Sequence, residues 1–168
     1  MKRRIRRPHP GGRFWNDRNV WIGGILTGLT GVIVRLCCGS PIPVVRLFRL
    51  DVYWPPLWLM ALLGLGWLCV TGGACGSVLG CHRYPARAYR AGMLFVLLVA
   101  SVLIWYKLLF GGALLFLSLV VLVWSILLCF AIAGALYGGF RFHAIVFWGY
   151  GLWLLYLAVT SLFAFLAL

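Results

Sequence analysis

The sequence predicts an all-α integral membrane protein folded as a five-transmembrane-helix bundle, and three observations carry that prediction. Of its 168 residues 64% are hydrophobic and 10% charged, with a mean hydropathy of +1.04. Water-soluble domains run at about 45–50% apolar and about 25% charged. The apolar residues gather into five runs, each long enough to cross a hydrocarbon core of about 30 Å, which needs roughly 20 residues of helix. Nearly half of the Lys and Arg lie before the first run, in the opening 18 residues.

The elements follow in order. Residues 1–19 read as a basic cytoplasmic tail, and residues 20–168 as the membrane domain. The first span is expected at about 20–38, with Arg35 near its end, where a long side chain can reach the interface. A long loop, 39–55, follows. The second span, about 56–79, contains no charge. It opens on Pro55-Pro56, and proline suits a helix start because its missing N–H has no partner there anyway. The third, about 91–110, carries Lys107 near its end. The fourth and fifth are expected at about 113–137 and 144–168, joined through tight turns at Gly111-Gly112 and Gly138-Gly139. Membrane barrels alternate apolar and polar residues, whereas these runs are apolar all round, so helices are expected throughout.

Charge sets the orientation. With the N-terminus inside, the inner segments hold Lys2, Arg3, Arg4, Arg6, Arg7, Arg13, Arg18, Arg83, Arg87, Arg90 and Arg141. The outer ones hold Arg35, Arg46, Arg49 and Lys107. The bias puts the N-terminus in the cytoplasm and the C-terminus outside, and it fits a bacterial cell membrane. A signal-peptide reading of the tail and first run is disfavoured, since no small-x-small site follows cleanly.

Composition also excludes much chemistry. The chain has no Glu, and its two acids, Asp17 and Asp51, lie far apart and outside the apolar runs. Paired-carboxylate catalysis, EF-hand calcium loops and acidic two-metal centres have nothing to stand on. Of the Lys and Arg behind the net charge of +13, nearly half sit in the tail, where they serve topology and anionic lipid, and no nucleic-acid partner is expected. Cys69, Cys75 and Cys129 fall inside apolar runs as small hydrophobes, and no C-x-x-C pair exists. A zinc site from Cys75, Cys81 and His82 is the weaker reading. The membrane serines lack His and acid partners, and phosphate and dinucleotide fingerprints are missing.

Small residues recur at helical spacing. Gly72, Gly76 and Gly80 form one stripe and Gly24 with Gly28 another, which lets backbones approach closely, either inside the bundle or at a homodimer face.

Three aromatic motifs have more specific content. The first is Tyr53-Trp54-Pro55-Pro56-Leu57-Trp58, followed along the second span by Gly72 and Ala74. The second is Trp105-Tyr106-Lys107-Leu108-Leu109-Phe110-Gly111. The third is Gly149-Tyr150-Gly151-Leu152-Trp153. In this order, on a five-span chain, they resemble the aromatic-x-P-P-x-W, W-x-P-x-F-F-G and P-Y-L-x-W signatures of the TspO/translocator protein family. That family is also called the tryptophan-rich sensory proteins or peripheral benzodiazepine receptors. The resemblance covers about residues 20–168.

It implies a five-helix bundle whose first loop closes a pocket for an apolar ligand, a tetrapyrrole such as a porphyrin or haem, or a sterol such as cholesterol, for transport or sensing. No cofactor is required. The pocket residues it points to are Trp54, Pro55, Pro56, Trp58, Trp105, Phe110, Tyr150 and Trp153. A flat apolar ring suits aromatic walls, and loop residues Arg46 and Arg49 are placed to meet its propionates. Tyr150, Trp153 and Leu157 share one helix face. Light-dependent porphyrin breakdown is the one enzymatic reading left open.

The chain also departs from the family pattern. A Trp and a Tyr usual in the second helix are Gly64 and Leu68 here, with Trp67 one residue out of register. The polar Gln and Asn of the third helix are Leu98 and Val102, and two prolines are Lys107 and Gly149. The pocket is therefore expected to be more apolar than usual. The family is commonly dimeric through a small-residue stripe on its third helix, where this chain offers Ala91, Gly92, Ala100 and Ser101. Two other classes compete: a structural or assembly subunit without a small-molecule ligand, whose glycine stripe faces a partner, and a small secondary transporter. The latter lacks ionisable residues near the span centres.

Overall fold

The computed structural model describes residues 17–37, 41–48, 50–81 and 85–167. Among them all regular structure is helical. The spans are α1 (Arg18–Cys37), α4 (Leu57–Leu79), α5 (Pro85–Tyr106), α6 (Leu115–Tyr137) and α7 (Arg141–Leu166). Helix α5 runs on through a π-helical turn, Lys107–Gly111. All five are long and apolar enough to cross a membrane, and the protein is an integral membrane protein.

The start of the third span and the first loop differ from the sequence expectation, and the fifth span begins at Arg141 and not at 144. The third span starts at Pro85, not near Ala91. Proline opens the helix, and Arg87 and Arg90 project outward from its first turns, so their charge interrupts the apolar run without interrupting the helix. The first loop is itself largely helical, with α2 (Ile42–Leu47) and α3 (Leu50–Tyr53).

The spans pack as two groups. In the first, α1 lies along α4, close enough that glycine is the residue that fits. A Cβ on Gly24 would stand 2.9 Å from the Cys69 carbonyl oxygen, and one on Gly72 2.6 Å from that of Gly23. The hydroxyl of Thr27 bridges the seam, donating to the Leu68 carbonyl at 2.8 Å while shared with Gly23 of its own helix at 2.9 Å. Such a bond in a membrane interior contributes about 0.6 kcal/mol, up to about 2 kcal/mol. The predicted stripe Gly72–Gly76–Gly80 faces Asn19, Gly23 and Thr27 of α1, so it serves a contact inside the bundle.

In the second group α6 lies between α5 and α7. Leu115, Ser118, Leu122, Ser125, Cys129, Ile132 and Leu136 form its buried face at helical spacing. Phe95 and Phe147 meet edge to face at 6.0 Å across α5 and α7. The buried hydroxyls of Thr71, Ser101, Ser118 and Ser125 donate to carbonyls three or four residues back, which satisfies them where lipid offers no partner. The outer faces are apolar too, as with Trp21, Ile25, Leu29 and Ile33 of α1, and these meet lipid.

The groups touch each other far less than each touches itself: α4 makes limited contact with α5 and α7, and α1 barely meets α5. The first loop closes the seam from one end. Leu50 is fully buried, and Trp54 is 6% exposed. The Trp54 indole donates to Thr160 Oγ1 of α7 at 3.1 Å, and the Tyr156 hydroxyl donates to the Tyr53 carbonyl at 3.2 Å.

Candidate functional site

The seam encloses a cavity of about 230 Å³. One wall comes from the last turns of α1 and the first half of α4, the other from the end of α5 and the middle of α7. Trp54 and Phe110 roof it at the loop end. Five of the eight predicted pocket residues line this single space: Trp54, Trp105, Phe110, Tyr150 and Trp153.

Each arrives by a local cause. Pro56 holds an extended backbone (φ −47°, ψ 138°) and its carbonyl accepts the first amides of α4, from Leu59 at 2.9 Å and Met60 at 3.0 Å. That break between α3 and α4 turns Trp54 inward. Phe110 is set by the π-helical turn, in which the Gly112 amide reaches back five residues to the Lys107 carbonyl at 3.1 Å. The wider turn rotates Phe110 relative to an unbroken α-helix. It meets Trp54 edge to face at 6.3 Å, Trp105 in the same manner at 6.3 Å and Tyr106 at 4.6 Å. Tyr150 and Trp153, one helical turn apart on α7, supply the far wall together with Leu157.

The remaining predicted residues lie elsewhere. Pro55 and Pro56 shape the backbone without lining the cavity, and Trp58, 68% exposed, faces outward from the bundle. Arg46 is exposed on α2 and does not reach the cavity wall. Arg49 lies outside the described residues. The guanidinium that does line the cavity is Arg35, whose Nη1 donates to the hydroxyl of Tyr106. Sequence reasoning treated Arg35 as a snorkelling end of the first span. The signal that would have found it is spacing: Val20, Gly24, Gly28, Gly31 and Arg35 repeat on the α1 face that packs on α4.

The departures from the family pattern gather here as well. Gly64, Leu68 and Val102 line the cavity, and a Cβ on Gly64 would meet nothing within 4 Å. The absence of a side chain at Gly64 leaves that part of the space open. Leu98 packs in the core instead. Trp67 stacks on Tyr150 from behind, centroids 5.9 Å apart at 30°.

Chemically the site presents hydrocarbon and aromatic faces with one cation at its rim. Among the described residues no three His, Cys, Asp or Glu side chains converge to hold a metal ion. Ser161 Oγ is buried without a hydrogen-bond partner among the described residues, and it stands apart from the cavity wall. No known family model, curated protein or solved structure matches the chain.

Proposed function

We propose that this protein binds a flat or slender apolar small molecule of the tetrapyrrole or sterol class in the cavity beneath its first loop, for transport or sensing at the membrane. The observation that carries the reading is convergence. Six aromatic side chains from the first loop, α5 and its π-helical turn, and α7 surround one space, as expected of a site that sandwiches a large apolar face. The resemblance of the three aromatic motifs to the TspO family supports the same ligand class. The cavity is smaller than the roughly 300–1,000 Å³ usual for ligand pockets. The space takes one edge of a porphyrin ring or one end of a sterol, and the sparse contact between the two helix groups gives the seam room to widen. On this reading the bilayer and the ligand are the partners. The basic tail holds the N-terminus in the cytoplasm of a bacterial cell, and the cavity lies in the outer half of the membrane.

An assembly subunit with no ligand is less well supported, because its glycine stripe would face a partner protein, whereas Gly72, Gly76 and Gly80 pack on α1. The deciding experiment is titration of the purified protein with protoporphyrin IX, read by tryptophan fluorescence. Saturable quenching is expected, weakened in a Trp54→Phe, Trp153→Phe double variant. Quenching that never saturates would count against the proposal.

A further inference from the structure

We infer that Arg35 is the acid-recognising residue of this cavity, and that the ligand it selects carries a carboxylate on an apolar body. The inference rests on the binding role proposed above and adds the charge and position of the group that reads the ligand.

Three observations support it. First, among the described residues Arg35 is the one basic side chain in a wall otherwise made of aliphatic, aromatic and glycine residues. A cation in a membrane-facing wall is costly and is characteristically matched by an anion or a strong acceptor. Second, among the described side chains its partner is the neutral hydroxyl of Tyr106. A guanidinium carries five N–H donors in a planar fork that matches a carboxylate with two parallel bonds, and one phenol oxygen answers only one of them. The chain has two acids in all, Asp17 and Asp51, and the side chain of Asp51 on α3 lies outside the described ones. Asp17 precedes the start of α1, some 18 residues from Arg35 along the helix, or about 27 Å at 1.5 Å per residue. Third, the pair stands at a gap. Arg35 belongs to α1 and Tyr106 to α5, two helices that scarcely touch otherwise, so their hydrogen bond spans the edge where cavity meets membrane. An acid entering from the outer leaflet meets Arg35 first, with its apolar body directed under Trp54.

A carboxylate of this kind can come from a tetrapyrrole or from a lipid-derived acid, and the test separates the sources. Binding of protoporphyrin IX and of its uncharged dimethyl ester is measured on the full-length protein in detergent, with palmitic acid and hexadecanol as competitors. Wild type is expected to favour each acid over its neutral counterpart by about tenfold or more, the scale of a charge-assisted pair. In Arg35→Gln that preference collapses while the ester and the alcohol bind as before, which shows that the cavity is intact. Arg35→Lys keeps part of the preference. A preference shown by the porphyrin pair alone assigns the tetrapyrrole as the source, and by the palmitic acid pair alone the lipid-derived acid. Equal binding of acid and neutral probes to wild type, or an undiminished preference in Arg35→Gln, overturns the inference while the binding role stands. Failure of all four probes to bind wild type overturns both.

Discussion

A Cβ on Gly149 would stand 2.7 Å from the edge of the Trp67 ring. The absence of a side chain at one position of α7 thus makes the space into which an indole from α4 fits, and the same indole stacks on Tyr150 beside it. This pair is one of the few firm contacts between the two helix groups. A Gly149→Ala substitution overpacks it, and should destabilise the protein by roughly 1–3 kcal/mol, the usual cost of an added group in a filled core. Thermal unfolding in detergent measures the loss. Adding Trp67→Leu should restore part of it, whereas an unchanged melting temperature in Gly149→Ala would show that the indole moves aside freely.

Gly64 is the opposite case, since a side chain there points into open cavity. Gly64→Leu should leave the melting temperature unchanged or raise it, because glycine in a helix interior costs about 0.5–1 kcal/mol relative to alanine. The leucine occupies ligand space, so affinity for protoporphyrin IX should fall by tenfold or more. Isothermal titration on the folded variant checks both halves, and full affinity alongside full stability would place the ligand elsewhere.

Along α1 and α4 the prediction is graded. Gly72→Ala drives a methyl towards the Thr27 hydroxyl and the Gly23 backbone, and Gly76→Ala drives one against the Asn19 carbonyl. Backbone cannot rotate away as a side chain can, so α1 must shift, at a cost of roughly 1–3 kcal/mol. Gly66→Ala on the same helix meets nothing within 4 Å and should be neutral or stabilising. Parallel melting curves of the three variants test this, and equal effects at positions 66 and 76 would contradict the close packing.

The roof of the cavity is tied to α7 by two side-chain hydrogen bonds, from the Trp54 indole to Thr160 and from the Tyr156 hydroxyl to the Tyr53 carbonyl. Trp54→Phe keeps an aromatic ring, though a smaller one, and removes the donor. A bond of this kind contributes about 1 kcal/mol, so amides of residues 50–54 should exchange with deuterium several-fold faster, with little change in α6. Unaltered exchange at the loop would mean that burial of Leu50 and the Tyr156 bond hold the lid without the indole donor.

How far the sequence revealed this architecture follows from the physics of each signal. The spans were legible because lipid demands about 20 apolar residues of self-satisfied backbone, a pattern that few soluble folds imitate. The start of α5 was hidden because Arg87 and Arg90 look like a loop in a hydropathy profile, although both project outward from a helix. In the site, the aromatic walls could be named from their motifs. Arg35 could not, because one charge at the end of an apolar run looks the same whether it faces water or a cavity. Only the matching face of glycines on α1, seen against α4, separates the two. The register of Phe110 was equally out of reach, since no residue in Lys107–Gly111 announces a π-helical turn.

That turn also exposes a local weakness. Gly111 and Gly112 are expected from the sequence to make the bend before α6, yet the residue with a left-handed backbone is Ala113, at φ 51°. Gly112 itself sits at φ −112°. For an L-residue with a Cβ this region costs about 1–2 kcal/mol, and here the cost is imposed by the turn, in which the Leu114 amide reaches back to the Leu108 carbonyl at 3.0 Å. Glycine adopts the same conformation without the steric penalty, though it loses more freedom on folding. The two terms oppose each other and the first is the larger, so Ala113→Gly should stabilise the protein by about 0.5–1 kcal/mol. The bulkier Ala113→Val should lower stability, since a β-branched side chain is poorly tolerated at positive φ. Melting temperatures ordered Gly above Ala above Val at position 113 would bear this out, and the reverse order would show that the backbone there is not left-handed in the membrane-embedded protein.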